Sequence, residues 1–196
     1  MELWIATSNK GKLSEFQVLL NSLVDLELHH QGELSTFFSP PENGQSFYEN
    51  AKIKARALHA VKNQAWTLAD DSGLEVEGLG HLPGIHSARY AGAHASEAEN
   101  VAKLLKMMQI RNVTDRKARF VACLVIYTPQ GEELKFEAYL NGKIAMKPAG
   151  QLGFGYDCVF IPDGQTQTLA ELGPAYKNRQ SHRAQAVKMF LEFLSE

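Results

Sequence analysis

The chain has 196 residues, with 20 Lys and Arg against 22 Asp and Glu and a formal net charge of −2. That balance argues against a general nucleic-acid binder, which shows a basic excess, but leaves room for a small anion in a local positive pocket. No apolar stretch approaches the roughly 20 residues of a membrane span, and the short run Leu3–Ala6 behind Glu2 lacks the h-region of a signal peptide. The expectation is a cytoplasmic protein with a single domain over residues 1–196, long enough to bury roughly 70% of its unfolded surface without staples. Cys123 and Cys158 lie in apolar, strand-like runs with no CxxC spacing and no clustered His, so they read as small core hydrophobes.

In chain order, Leu3–Ala6 reads as a strand, followed by a helical pattern with Leu13, Phe16, Leu20 and Leu23 on one face. LELHH is a short strand, and STFFSPPENGQ is a loop broken by Pro40, Pro41 and Gly44. SFYENAKIKARALHAV starts a helix with Ser46 and Glu49 as a capping box, and Phe47, Ala51, Leu58 and Val61 facing the core. AWTLADD reads as a strand ending in acids, and GLGHLPGIHSARYAG as a glycine-punctuated loop. A second capping box, Ser96 and Glu99, opens a helix with Val101, Leu104, Leu105 and Met108. ARFVACLVIYT and ELKFEAYLNGKIA read as paired strands around the turn PQGE. QLGFGYDCVFIP is a glycine-rich loop entering another strand, and SHRAQAVKMFLEFLSE is the closing helix with Ser181 as N-cap. The fold class is α/β, with early crossover units and a later antiparallel hairpin.

Four stretches do not read as packing alone. In TSNKGK, backbone N–H groups and two lysines at a helix start suit a phosphate, although a well-capped solvated turn fits as well; the single glycine rules out a P-loop. In ADDSGL, adjacent Asp70 and Asp71 repel unless a cation offsets them, and oxygen ligands suit magnesium; an acidic turn is the plainer alternative. Strand alternation would aim the two side chains at opposite faces. In GFGYD, Gly153 and Gly155 permit close backbone approach, and Phe154 and Tyr156 offer faces on which a base could stack, or else form a bulge with core aromatics. In SHRAQ, His182 and Arg183 occupy a helix first turn, where cations oppose the dipole; a carboxylate or an electron-rich ligand would resolve that conflict, as would simple solvation of Arg183. Asn50 and Lys54, one turn apart beside an apolar stripe, also need partners.

Together, TSNKGK, FYENAKIKA, ADDSGLEV, PGIHSARYAG, GFGYDCVF and SHRAQA resemble, in order, the motifs of the inosine triphosphate pyrophosphatase family, from Leu3 to beyond Ala186. The resemblance implies hydrolysis of noncanonical purine nucleoside triphosphates (ITP, dITP, XTP) to the monophosphate and pyrophosphate, with magnesium (Mg2+). It also implies a homodimer and an ITPase-like fold: an elongated mixed β-sheet flanked by helices, in two lobes with the active-site cleft between them. By the family's motifs, Thr7, Ser8, Asn9, Lys10, Gly11 and Lys12 match the phosphate-binding turn, Lys12 being the family lysine. Glu42 matches a metal-binding acid. Asp71 matches the general base and a metal ligand, and Ser72 a substrate contact. Phe154, Gly155, Tyr156, Asp157, Lys177, His182 and Arg183 match the nucleobase pocket. Two departures stand out: Cys158 where the family commonly has Pro, and Pro174–Ala175–Tyr176 where it commonly has acids before the lysine.

On this reading water attacks the α-phosphorus, positioned by Asp71, and no covalent nucleophile is required. Arg183 has only donors, so it would reward a 6-keto purine over adenine. Two rivals stay open: a Maf-like pyrophosphatase acting on modified or pyrimidine nucleotides, and a nucleotide-binding module without catalysis.

Overall fold

A computed structural model describes residues 1–195. The strands are β1 (Glu2–Ile5), β2 (Glu27–His30), β3 (Trp66–Val76), β4 (Lys117–Tyr127), β5 (Glu133–Ile144) and β6 (Phe160–Pro162). The helices are α1 (Lys10–Leu19), α2 (Phe47–Val61), α3 (Glu97–Ile110), α4 (Leu169–Gln180) and α5 (His182–Leu194). All six strands belong to one sheet, ordered β2-β1-β3-β4-β5-β6. β1 runs parallel to β2 and β3, and β5 antiparallel to β6, so the sheet is mixed. The parallel part follows from helical crossovers through α1 and α2. No described helix is long and apolar enough to cross a membrane.

The chain forms two compact units. The first contains Met1–Asp71, Ala122–Ala138 and the chain from Ala186 on; the second contains Ser72–Val121 and Tyr139–Gln185. β3, β4 and β5 each contribute residues to both. The core of the first gathers Leu3, Ile5, Phe16, Leu20 and Leu68 with Leu124, Ile126, Val187 and Phe190. The core of the second gathers Leu74, Val76, Val101, Leu104 and Met108 with Phe120, Tyr156, Val159, Phe160 and Leu169.

Several elements differ from the sequence reading. β3 does not stop at the acids but continues to Val76, so Asp70 and Asp71 sit within a strand. α1 ends at Leu19, which leaves Leu23 beyond the helix. Val61 is exposed at the last turn of α2 rather than in the core. The first capping box is half made: Ser46 Oγ accepts from the Glu49 N–H, but Glu49 turns its carboxylate to the Gln45 N–H instead. The second, at Ser96 and Glu99, is complete. α4 was not read from the sequence at all. Gly173 (φ 77°) and Pro174 kink it in the middle, and those two residues break the helical period. Its start carried a signal nonetheless, a full capping box between Thr168 and Glu171. Ser181 caps α5 as expected, accepting from the Ala184 N–H.

Candidate active site

In the first unit, the turn after β1 is built by its own side chains. Thr7 Oγ1 accepts from the Asn9 N–H, and Asn9, the N-cap of α1, accepts from the Lys12 N–H. Ser8, Asn9 and Lys10 are exposed, with Gly11 and Lys12 half-buried. No acid occupies the first turn of α1, so its N-terminal N–H groups keep their positive character. Lys12 reaches away from the turn and places Nζ 3.1 Å from Asp70 Oδ2.

The acids converge on a second lysine, from α2. Lys54 Nζ lies 2.8 Å from Glu42 Oε1, 3.2 Å from Asp71 Oδ1 and 2.9 Å from the Asp70 carbonyl oxygen. Asn50, one turn earlier on α2, donates from Nδ2 to Asp71 Oδ2 at 3.2 Å and accepts the Gly44 N–H at 2.9 Å. The Glu42 loop is thereby pinned to α2 at two points. Gly44 is needed there, because an added Cβ would lie 2.8 Å from Asn50 Oδ1 and 2.7 Å from Glu49 Cβ. The alternation read from ADD holds: Asp70 meets Lys12 of α1, whereas Asp71 meets Lys54 and Asn50 of α2.

Three carboxylates (Glu42, Asp70, Asp71) and the ammonium groups of Lys12 and Lys54 meet in this cluster. Burial opposes the charge of Lys54, but the carboxylates of Asp71 and Glu42 outweigh it and hold the lysine cationic above its usual range. Burial pushes the Asp71 carboxyl up; Lys54 and Lys12 pull it back only in part, and Glu42 and Asp70 push the same way as burial. The donor set fits magnesium, which takes carboxylate oxygens and prefers one or two of them together with water and phosphate oxygens. Glu42 and Asp71 already converge on one cation, the Lys54 ammonium. Among the described residues no three or more His, Cys, Asp or Glu side chains form a protein-only cage, so a bound ion would draw further oxygens from elsewhere.

In the second unit, the GFGYD loop is held from several sides. Asp157 Oδ2 accepts the Phe154 N–H at 2.9 Å and pairs with the Lys177 ammonium. Lys177 Nζ in turn lies 4.1 Å from the centre of the Phe154 ring, a cation–π contact. Gly153 adopts φ +81°, and an added Cβ would lie 2.2 Å from Asp157 Oδ2, so a side chain would break this arrangement. Of the two expected stacking faces only Phe154 is half-buried. Tyr156 belongs to the core, 5% exposed, with its hydroxyl donating to the Ser87 carbonyl oxygen at 2.9 Å. Burial pushes its phenol up. At the start of α5, His182 stacks flat on Phe120, rings 4.8 Å apart and 9° from parallel. Arg183 is 1% exposed, and its Nη2 donates to Ser72 Oγ at 2.8 Å. The guanidinium is therefore not solvated, which removes the plainest reading of SHRAQ.

The sequence-predicted residues thus fall into two sets. Thr7–Lys12, Glu42 and Asp71 stand in the first unit, and Ser72, Phe154–Asp157, Lys177, His182 and Arg183 in the second. Asp71 and Ser72 are consecutive in the chain. Asn50 and Lys54 were noticed but not assigned to the site, although they hold its acids. The signal was present: two polar groups one turn apart beside the apolar stripe of an amphipathic helix. Cys123 is buried, and burial pushes its thiol up to about 12; Cys158 is half-buried and likewise pushed up by burial. Neither is poised as a nucleophile.

The Ham1 family model matches residues 3–193. A dITP/XTP pyrophosphatase of Bdellovibrio bacteriovorus is 59% identical over 194 residues, covering 99% of this chain and 98% of that protein. Another from Methylacidiphilum infernorum is 42% identical, covering 100% and 95%. Among solved structures, the Staphylococcus aureus Ham1 protein superposes with a TM-score of 0.88 at 38% identity, covering 100% of this chain and 98% of that one. A HAM1 protein from Coxiella burnetii gives 0.89 at 37% identity, with the same coverage.

Proposed function

The chain belongs to the Ham1 family, and from that premise we propose that it hydrolyses noncanonical purine nucleoside triphosphates, dITP, ITP and XTP, to the monophosphate and pyrophosphate. The observation that carries this reading is the Glu42–Lys54–Asp71 cluster beside the α1 turn. The relatives' printed names supply the substrate class.

The turn from Thr7 to Lys12 binds the triphosphate through N–H groups and lysine charge. Lys12 and Lys54 neutralise negative charge on the chain of phosphates. Glu42 and Asp71 would hold magnesium, which when bound supplies charge neutralisation and polarisation at the phosphate oxygens. Asp71, pushed up by burial, is suited to accept a proton from water. The water oxygen forms a bond to the α-phosphorus, the bond from that phosphorus to the bridging oxygen breaks, and pyrophosphate leaves. Asn50 holds the second oxygen of Asp71, which fixes the direction of its free lone pairs.

The second set recognises the base. Phe154 offers a ring whose position is set by Lys177 and Asp157. Arg183 and Lys177 carry donors only, matching the 6-keto acceptor of hypoxanthine and xanthine and mispairing with the 6-amino group of adenine. Such polar mismatches can discriminate by about 10⁴. The enzyme works in the cytoplasm as a homodimer, in keeping with the family resemblance.

The test is pyrophosphate release from ITP, dITP, XTP, GTP and ATP with magnesium and with EDTA. The expected outcome is turnover of the first three, little of the last two, and none with EDTA. Equal use of ATP, or full activity in EDTA, would overturn the substrate or the metal assignment respectively.

A further inference from the structure

We propose that Glu97 is a positioning residue for base recognition: from the first turn of α3 it holds the backbone beside Phe154 and so fixes the ring for stacking on a keto-purine. The inference rests on the reading of Phe154 as the stacking ring given above.

Phe154 sits between two glycines with left-handed backbone, Gly153 (φ +81°) and Gly155 (φ +61°). Such a segment has no side chains of its own to lock it and loses much entropy on ordering. Its order must come from elsewhere, and two carboxylates supply it. Asp157 Oδ2, within the same loop, accepts the Phe154 N–H. Glu97 Oε2, from a helix far away in the chain, accepts the next N–H, that of Gly155, at 2.8 Å. The ring is thus bracketed by one acceptor on each of two successive amides.

As an acid in the first turn of α3 Glu97 also suits the helix dipole, but that role does not require it to reach the Gly155 N–H. The N-cap of α3 is already satisfied by Ser96 and Glu99, which bond each other reciprocally. Glu97 is exposed, so it does not serve packing. α3 itself is a firm base for it, because Asn100 on the same helix donates to the Ala88 carbonyl oxygen and accepts the Ala91 N–H. That helix therefore braces both the SARYAG loop and the GFGYD loop. An unbraced Phe154 would have to be ordered by the incoming base, and binding would be weakened by that cost.

The test compares wild type, Glu97→Ala and Glu97→Gln. ITP affinity is measured in EDTA, amide hydrogen exchange is followed over residues 153–157, and each protein is melted. Glu97→Ala should weaken ITP binding roughly five- to tenfold, the range of one ordinary hydrogen bond, because the lost bond orders the loop and does not touch the ligand. It should speed exchange at Gly155 and leave the melting temperature close to that of wild type. Glu97→Gln keeps an acceptor oxygen at the same reach and should restore both ITP affinity and protection. In turnover with magnesium, Glu97→Ala should raise KM for ITP and leave kcat unchanged. Unaltered ITP affinity in Glu97→Ala would overturn the inference, as would unchanged exchange at Gly155, or failure of Glu97→Gln to rescue. Wild-type protein that binds no keto-purine nucleotide would overturn the substrate reading and this inference with it, whereas normal wild-type binding that ignores Glu97 overturns the inference alone.

Discussion

Asp71 is where chemistry and stability pull in opposite directions. Its carboxylate is 6% exposed, and burial together with Glu42 and Asp70 raises its proton affinity above that of a free aspartate. The sign of the linkage follows. The folded state binds this proton more tightly than the unfolded chain does, so the ionised form costs stability as pH rises through the unfolded and then the folded value. Asp71→Asn removes the charge at nearly constant shape, but its single amide oxygen can replace only one of the two acceptors now used by Lys54 Nζ and Asn50 Nδ2. Relief of the buried charge offsets the lost bond, so the variant should melt near the wild-type temperature, yet lose about 10²–10⁴ in kcat, the range for a general base. A melting curve and a pyrophosphate-release assay on the same preparation check both halves. A lower melting temperature would mean that the Lys54 pair outweighs burial, and unchanged kcat would remove Asp71 from the mechanism.

At the scale of elements, α2 carries Asn50 and Lys54, so whatever docks α2 also places the acids. The clearest docking group is Glu133 on β5. Its carboxylate accepts from Tyr48 of α2 and Tyr127 of β4, and lies 3.1 Å from Lys52 of α2. Burial opposes its charge, but these three donors outweigh burial and hold its carboxyl below the usual value. The stability it contributes is therefore present above the unfolded pKa and lost as pH falls through the folded one, below about 4.3. Glu133→Gln should cost about 1–2 kcal/mol at pH 7, with the gap to wild type closing in acid; urea titrations at pH 7 and pH 4 read it directly. A constant gap at both values would assign the effect to shape rather than charge. These contacts also mark where sequence reading stops. The helices with plain periods and caps, α2, α3 and α5, were legible from Ser46, Ser96 and Ser181. The kinked α4 was not, because Gly173 and Pro174 erase the period that its Thr168 cap announces. The sequence reading ends β3 at Asp71 because buried acids within a strand contradict strand composition, and partners from α1 and α2, Lys12, Lys54 and Asn50, help reconcile them.

For the whole molecule, most of the candidate site was legible because its residues break local rules: paired acids, cations at a helix start, glycines around an aromatic ring. Two kinds of residue were harder to read. Tyr156 sits in a glycine-rich motif beside Phe154 but serves the core, and no local signal separates the two rings. Glu97 is an ordinary helix residue until its long-range partner is known. Family membership decides against the Maf-like rival, and the acids argue against a passive binding module, since burying adjacent Asp70 and Asp71 beside the half-buried Glu42 is costly without a reaction to serve. The central claim is that Asp71 directs water to the α-phosphorus, and hydrolysis of ITP in ¹⁸O-labelled water tests it most directly. The account predicts equal amounts of monophosphate and pyrophosphate, with the label in the monophosphate. Label in free phosphate, with diphosphate as the other product, would contradict it.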